Sequence, residues 1–207
     1  MVTHPTNLER ERTVPDVYAE GLRYFMGEGT INKTLTRLAN DLDQRGIDYI
    51  VIGAIALLAH GYPRFTEDID LVMTAEGLQK FHDELIGLGY TPAVPGARKR
   101  LRSATDNVSI EVMTTGEYPG DGKPKPVSMP TPSEASTEID GIRFVTLEKL
   151  IELKLASGIS APDRLKDLAD VQELIKIRKL GADFALKLDP YVRAKYLELE
   201  EAVRRVN

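Results

Sequence analysis

The fold can be predicted from one stretch of the chain, Tyr49 to Met73, whose sequence is Y-I-V-I-G-A-I-A-L-L-A-H-G-Y-P-R-F-T-E-D-I-D-L-V-M. Its first four residues form an uninterrupted apolar run, which is typical of a buried β-strand. Gly53 ends this run, and the small and apolar residues that follow predict a short helix ending at His60 and Gly61. The stretch therefore predicts a buried strand, a tight turn and a helix, followed by a second strand.

The second strand of this stretch, predicted over residues 68–72, carries two acids. Side chains alternate between the two faces of a strand, so Asp68 and Asp70 share one face. Ile69 and Leu71 point to the other face, into a core. Two neighbouring carboxylates repel each other and destabilise the strand unless a positive charge neutralises them. A divalent cation with oxygen ligands is the simplest such partner. The alternative interpretation is a solvated strand edge.

This layout resembles the nucleotidyltransferase fold, in which a small-residue turn follows the first strand and two alternating acids lie on the next. The turn here is Gly53-Ala54. The closer resemblance is to the minimal nucleotidyltransferases and the AbiEii-like toxins, which often carry Arg-x-Thr-x-Asp-Ile-Asp-Leu, the pattern found from Arg64 to Leu71. Many members have Gly or Ser at the second turn position. Ala54 can offer a phosphate only its backbone N–H.

The resemblance implies an α+β fold with a polymerase β-like mixed sheet flanked by helices and a C-terminal helical part. It also implies transfer of a nucleoside monophosphate from a nucleoside triphosphate (NTP) to an acceptor hydroxyl, with release of pyrophosphate and two Mg²⁺ ions bound by shared carboxylates. The metal ligands would include Asp68 and Asp70. The groups expected to hold the nucleotide are Gly53, Ala54, Arg64, Thr66 and Lys154.

A third acid on a later strand completes the signature that this family carries. Residues 98–103 and 108–113 are predicted to form a hairpin around a loop at 104–107. Glu111 is the one acid within a β-pattern on the second arm. We therefore predict Glu111 as the third metal ligand and catalytic carboxylate. The alternative is a surface glutamate.

Three arginines share a face of the first arm of this predicted hairpin, namely Arg98, Arg100 and Arg102. A short hairpin loop would place Arg100 opposite Glu111 and Arg102 opposite Ser109. One interpretation is a cross-strand ion pair on a solvated face. The other is an electropositive wall beside the metal site that binds triphosphate, tRNA or another RNA backbone.

A lysine falls on the apolar stripe of the helix predicted after Thr146. Lys154 is unusual there unless its amine reaches solvent or meets a charge. The AbiEii-like families carry a Thr followed eight residues later by a Lys, a spacing that Thr146 and Lys154 match. The resemblance implies that Lys154 contacts the nucleotide phosphates. We expect Asp167 or Asp170 to hold its amine when no nucleotide is bound.

The length of 207 residues suffices for one domain with a small helical appendage. We predict an N-terminal extension over residues 1–30, a catalytic core over 31–145, and a C-terminal helical part over 146–207 packed on the core. The absence of Cys excludes disulfides and thiolate metal sites. A net charge of −5 argues against non-specific coating of nucleic acid. The sequence shows neither a secretory signal nor a membrane-length apolar stretch, so a cytoplasmic protein without a membrane partner is expected.

Three hypotheses for function stay open at this point. The first is transfer to tRNA or another RNA end, as in the toxin-like relatives of toxin–antitoxin systems. The second is transfer to a hydroxyl of a protein or of a small molecule such as an antibiotic. The third is a nucleotidyltransferase-like module that binds without catalysis, with a cognate protein as its partner.

Overall fold

The computed structural model describes residues 14–206, so residues 1–13 of the predicted N-terminal extension and residue 207 lie outside it. Within the described range, helices pack on a single mixed sheet. The helices are α1 (Val14–Phe25), α2 (Thr30–Gln44), α3 (Gly53–Ala59), α4 (Ala75–Leu85), α5 (Leu147–Ser160), α6 (Leu165–Arg178) and α7 (Pro190–Val206). The strands are β1 (Tyr49–Val51), β2 (Asp68–Met73), β3 (Tyr90–Pro92), β4 (Arg100–Ser103), β5 (Ser109–Thr114), β6 (Ser136–Ile139) and β7 (Ile142–Val145).

The sheet has seven strands in the order β3-β4-β5-β2-β1-β7-β6. Two neighbouring pairs are parallel, β2 with β5 and β1 with β7. The remaining neighbours are antiparallel. This mixed sheet with flanking helices confirms the predicted α+β architecture. Its central strand β2 joins two distant parts of the chain, because β1 lies on one side of it and β5 on the other.

The two faces of β2 have different surroundings. Ile69, Leu71 and Met73 are fully buried on one face, where α4 packs with Gly77 beside Met73. Asp68 and Asp70 point to the other face, where α3 begins. The alternation predicted for this strand is therefore present, with the acids on the face opposite to α4.

The hairpin of β4 and β5 has the predicted register, with Arg100 opposite Glu111 and Arg102 opposite Ser109. The prediction that this strand begins at Arg98 is wrong. Residues 93–99 form the turn that leads from β3 into β4, and Arg98 lies within that turn. Its guanidinium donates a hydrogen bond to the Gln79 side chain on α4, 2.6 Å away.

The connection between β5 and β6 is a long loop rich in proline, and it packs on the rest of the protein. Val127 and Met129 are buried. Gly120 lies directly against the last turns of α5, where an added Cβ would stand 2.8 Å from the Ser157 carbonyl oxygen. The loop therefore lies over the end of α5 that follows Lys154.

Among the described helices, none is long and apolar enough to cross a lipid bilayer.

Candidate active site

The parallel pairing of β2 with β5 places the three predicted carboxylates on one face of the sheet. Asp70 lies beside Glu111, and Asp68 lies beside Ser109. Because side chains alternate along each strand, all three acids point to the same side. Acids 41 residues apart in the chain are thus neighbours across two adjacent strands.

Asp70 is the most electrostatically perturbed member of this group. Burial raises the pKa of its carboxyl to about 7, and the negative charges of Asp68 and Glu111 add to that rise. The positive charges of Lys154 and Arg64 oppose it without cancelling it. Asp70 therefore holds a proton until near neutral pH, chiefly because it is buried and in part because Asp68 and Glu111 are negatively charged.

The turn between β1 and α3 presses against Asp70. Gly53 has φ +67°, in the left-handed region that glycine tolerates best. A Cβ at this position would overlap the Asp70 carboxylate, with Cγ only 2.9 Å away. Backbone contact ties the same residues together, because the Ile52 N–H donates to the Asp70 carbonyl at 2.9 Å. Only glycine fits here, and the adjoining Ala54 side chain is buried in α3.

Thr66 and Arg64 contact acids on two different elements. The Thr66 hydroxyl donates to the Asp68 carboxylate, and the Arg64 guanidinium donates to the Asp170 carboxylate on α6. The segment that leads into β2 is therefore fixed at one end to a predicted metal ligand and at the other to the C-terminal helices. The side chains of Thr66 and Arg64 therefore both have hydrogen-bond partners.

Lys154 lies in a buried ion-pair cluster between α5 and α6. Its amine is 2.9 Å from Asp167 Oδ1 and 2.7 Å from Asp170 Oδ2. The side chains of Lys154 and Asp170 are only 9% and 4% exposed, so water screens the pair weakly. The predicted contact with Asp167 or Asp170 is confirmed. The role of Lys154 toward phosphate stays a prediction.

Ser157 belongs to this cluster and was missed from the sequence. Its hydroxyl donates to Asp167 Oδ2 at 2.7 Å. The available signal was its position three residues after Lys154 on the same helix, which places both on one face. Through Ser157 and the adjoining Gly120, the long loop after β5 borders the ion-pair cluster.

The three predicted arginines have different surroundings. Arg100 Nε is 3.6 Å from Glu111 Oε1, and these side chains are 76% and 47% exposed. Arg102 donates to the Asn107 side chain at 3.2 Å. Since Arg98 lies in the preceding turn against α4, only Arg100 and Arg102 share the strand face of Glu111.

The chemistry of the donor set fits Mg²⁺, because carboxylate oxygens are its preferred protein ligands. In residues 14–206 as they stand, however, no group of three or more His, Cys, Asp or Glu side chains is placed to hold one ion. Two of the three acids have other partners, since Thr66 contacts Asp68 and Arg100 contacts Glu111. Metal binding would compete with those contacts.

Comparison with solved structures identifies proteins with a similar fold. The antibiotic-resistance factor ANT(2″)-Ia in solution has a TM-score of 0.53 at 18% identity, covering 85% of this chain and 98% of that one. Its crystal structure with adenylyl-2″-tobramycin has a TM-score of 0.50 at 16% identity, covering 86% and 99%. An antigenic nucleotidyltransferase-like protein from Paracoccidioides brasiliensis has a TM-score of 0.45 at 18% identity, covering 70% and 74%. No family model and no curated protein sequence matches the chain.

The architecture is therefore that of the nucleotidyltransferase fold. Two structures of an antibiotic nucleotidyltransferase share it, and at 16% and 18% identity this likeness shows the fold alone. The finer resemblance to AbiEii-like toxins stays a prediction from the motif around Asp68 and Asp70.

The Gly53→Ala substitution should lower the free energy of unfolding by more than backbone strain alone explains. The left-handed conformation costs an alanine about 1–2 kcal/mol, and the overlap with Asp70 adds to that. Gly46→Ala is the matched control, because Gly46 has φ +59° with no atom near its missing Cβ. Urea unfolding measures both. An Asp70→Ala background should remove most of the excess cost of Gly53→Ala over Gly46→Ala, because only the Cβ of residue 70 then lies close, 3.1 Å from the added Cβ. Equal costs of the two glycine substitutions without that background would contradict the steric account.

The Asp70→Asn variant should become increasingly more stable than the wild type as pH rises from about 4 to about 7 in the absence of Mg²⁺. The folded pKa of about 7 exceeds the ordinary value of 3.8, so ionisation destabilises the folded wild type across this window. The effect is at most about 4 kcal/mol and levels off above neutral pH. Urea unfolding across this pH range measures it.

Asp106→Asn is the control of opposite sign. The Arg37 hydrogen bond lowers the pKa of Asp106, so this carboxylate stabilises the fold above its ordinary pKa and the benefit is lost in acid. A difference between Asp70→Asn and wild type that does not change with pH would contradict the raised pKa of Asp70.

The Lys154→Met variant should lose stability as well as nucleotide binding. Breaking a buried ion pair typically costs about 3–5 kcal/mol, and we expect the low end because Arg64 still contacts Asp170. Lys176→Met is the control, since the Lys176–Glu173 pair is largely solvated and should cost less than about 1 kcal/mol. Thermal unfolding measures the stability of both variants. Equal losses of stability would show that the buried ion pairs of Lys154 stabilise the protein no more than a solvated pair does.

Proposed function

We propose that the protein is a Mg²⁺-dependent nucleotidyltransferase that moves a nucleoside monophosphate from an NTP to an acceptor hydroxyl. The observation that carries this proposal is the placement of Asp68, Asp70 and Glu111 on one face of a nucleotidyltransferase-fold sheet. The negative charges of Asp68 and Glu111, which act on the buried Asp70, support it, because a bound cation would offset them. The ion-paired Lys154 beside this group supports it further.

In the proposed reaction, the acceptor oxygen forms a bond to the α-phosphorus of the NTP. The bond from that phosphorus to the α,β-bridging oxygen breaks, and pyrophosphate leaves with the electron pair. The acceptor proton passes to the Glu111 carboxylate and then to water. Bound Mg²⁺, held by Asp68, Asp70 and Glu111, would supply positive charge to both the attacking and the leaving oxygens.

The other site residues have binding and positioning roles in this proposal. Lys154 contacts the phosphates of the nucleotide, and Asp167 and Asp170 hold its amine in place until then. Arg64 and Thr66 fix the segment that leads into β2 and lie beside the same phosphates. The backbone N–H groups of Gly53 and Ala54, at the start of α3, face the triphosphate.

An RNA end, including the end of a tRNA, is the acceptor we propose. Arg100 and Arg102 support it, because both lie on the strand face of Glu111 and Arg100 is 76% exposed. Such side chains can contact a phosphate backbone while the terminal hydroxyl reaches the acids. In this proposal the chain acts as a toxin-like enzyme whose activity a cognate protein partner restrains.

Labelled NTPs, supplied one at a time with Mg²⁺ and either total RNA or cell lysate, test the proposal. Label should enter RNA with wild-type protein and should not with Asp70→Asn or Glu111→Gln. Label in a protein or a small molecule instead would support the alternative acceptors, which include an antibiotic-like hydroxyl. No label with any NTP would support the binding module without catalysis.

A double Arg100→Gln/Arg102→Gln variant should lose activity on RNA selectively, while its binding of NTP stays near wild type. Its dependence on salt should also weaken, by a slope of roughly one for each lost phosphate contact. Arg204→Gln/Arg205→Gln is the matched control, since these two arginines on α7 are 71% and 73% exposed and lie outside the site. Equal activity of the two double variants on RNA at every salt concentration would contradict the proposed RNA contact.

A further inference from the structure

Tyr24, near the end of α1, has a hydroxyl group without a partner. Its side chain is fully buried, with 0% of the residue exposed. Within the described part of the chain, its hydroxyl oxygen makes no hydrogen bond. Buried polar groups in folded proteins nearly always have a partner, and each exception calls for an explanation.

The ring of Tyr24 lies against the segment that leads into the acid strand. Its centroid is 5.3 Å from that of Phe65, with the rings nearly perpendicular at 86°. Phe65 is the residue between Arg64 and Thr66, whose side chains contact Asp170 and Asp68. The N-terminal helix therefore reaches the candidate active site through this aromatic contact.

The charges of the site act on the Tyr24 hydroxyl. Burial raises its pKa to about 12, with the positive charge of Arg64 opposing the rise and the negative charge of Asp68 adding to it. The hydroxyl therefore stays protonated at neutral pH and is available as a hydrogen-bond donor. A donor near Arg64 is suited to an anionic oxygen that the guanidinium also attracts.

A purely structural role does not account for a tyrosine at this position. A phenylalanine would make the same ring contacts with Phe65 and with Phe25, which lies 5.2 Å away on the other side. It would also avoid burying an unpaired hydroxyl, which is destabilising. The hydroxyl is explained if a partner arrives with the substrate.

We propose that Tyr24 is a further substrate-contacting residue of this site, whose hydroxyl donates a hydrogen bond to a phosphate oxygen of the bound nucleotide. The inference depends on the proposed nucleotidyl transfer and adds to it a residue from outside the motif that resembles the family. Tyr24 is 0% exposed, so a phosphate reaches its hydroxyl only if a neighbouring side chain moves, and the two rings packed on it, Phe25 and Phe65, both reach the surface. The helix α1 then forms part of the substrate site.

The test uses Tyr24→Phe with Tyr49→Phe as the matched control. Tyr49 is also fully buried, and within the described part of the chain its hydroxyl oxygen likewise has no well-formed hydrogen bond, although Arg143 opposes the rise of its pKa that burial causes. It pairs with Met73 in the sheet, on the face opposite to the acids, and Arg143 lies over its ring at 4.5 Å. Both variants remove a buried hydroxyl, one beside the site and one away from it near Arg143.

Two measurements separate the roles. Without ligand, Tyr24→Phe should raise the melting temperature by about 2–4 °C, because it removes an unsatisfied buried group. Tyr49→Phe should raise it less, because Arg143 interacts with that hydroxyl. With Mg²⁺ present, Tyr24→Phe should weaken binding of inorganic tripolyphosphate and of a non-hydrolysable NTP analogue by about tenfold, as expected for a lost hydrogen bond to a charged oxygen. Tyr49→Phe should bind both probes like the wild type.

Three outcomes would overturn the inference. The first is unchanged binding of both probes by Tyr24→Phe while Lys154→Met weakens them, in which case the proposed function stands without Tyr24. The second is weaker binding of the NTP analogue alone, because the contact would then be to the nucleoside. The third is a lower melting temperature with unchanged binding, which would show a structural partner. Failure of the wild type to bind either probe would overturn the proposed function and this inference together.

Discussion

The structure around β2 is organised by the repulsion among carboxylates that share one face of the sheet. Asp70 has Asp68 on its own strand and Glu111 on the neighbouring strand, and it lies against the Gly53 backbone, where no other residue fits. The cations nearest to Asp70, Arg64 and Lys154, are each bound to Asp170. The protein thus keeps positive charge close to the acids while leaving them incompletely neutralised, which is a condition for attracting a metal ion and a metal-bound anion.

The two clusters of charge have different characters. The acid face of β2 and β5 combines a buried carboxyl at Asp70, whose pKa is raised, with an exposed one at Glu111. The cluster of Lys154, Asp167, Asp170 and Arg64 is compact and largely buried, and each charge within it has a partner of opposite sign. In the proposed function the first cluster would bind the metal ion, whereas the second holds its own cations in positions for which a nucleotide would have to compete.

Local patterns in the sequence predict much of this arrangement. Alternation along one strand places Asp68 and Asp70 together, hairpin geometry places Arg100 opposite Glu111, and helical spacing brings Lys154 to the buried side of α5. What they cannot supply is pairing between distant segments. The adjacency of β2 and β5 depends on the order of strands in the whole sheet, and for Glu111 it was inferred from a resemblance. Tyr24 reaches Phe65 only because the corner between α1 and α2 turns the first helix back toward β2.

The parallel pairing of β2 with β5 also bears on how the protein is made. As the chain leaves the ribosome, β1, α3 and β2 emerge before β5, so Asp70 is at first without the strand that carries Glu111. The cation at Lys154 and the helix α6 that fixes it emerge later still. A nascent chain that ends before α5 therefore exposes an acidic strand with no counter-charge from the C-terminal helices. The acids and the Lys154 cluster are together only after α6, which ends at Arg178, has been synthesised, which makes closure of this site a late event in folding.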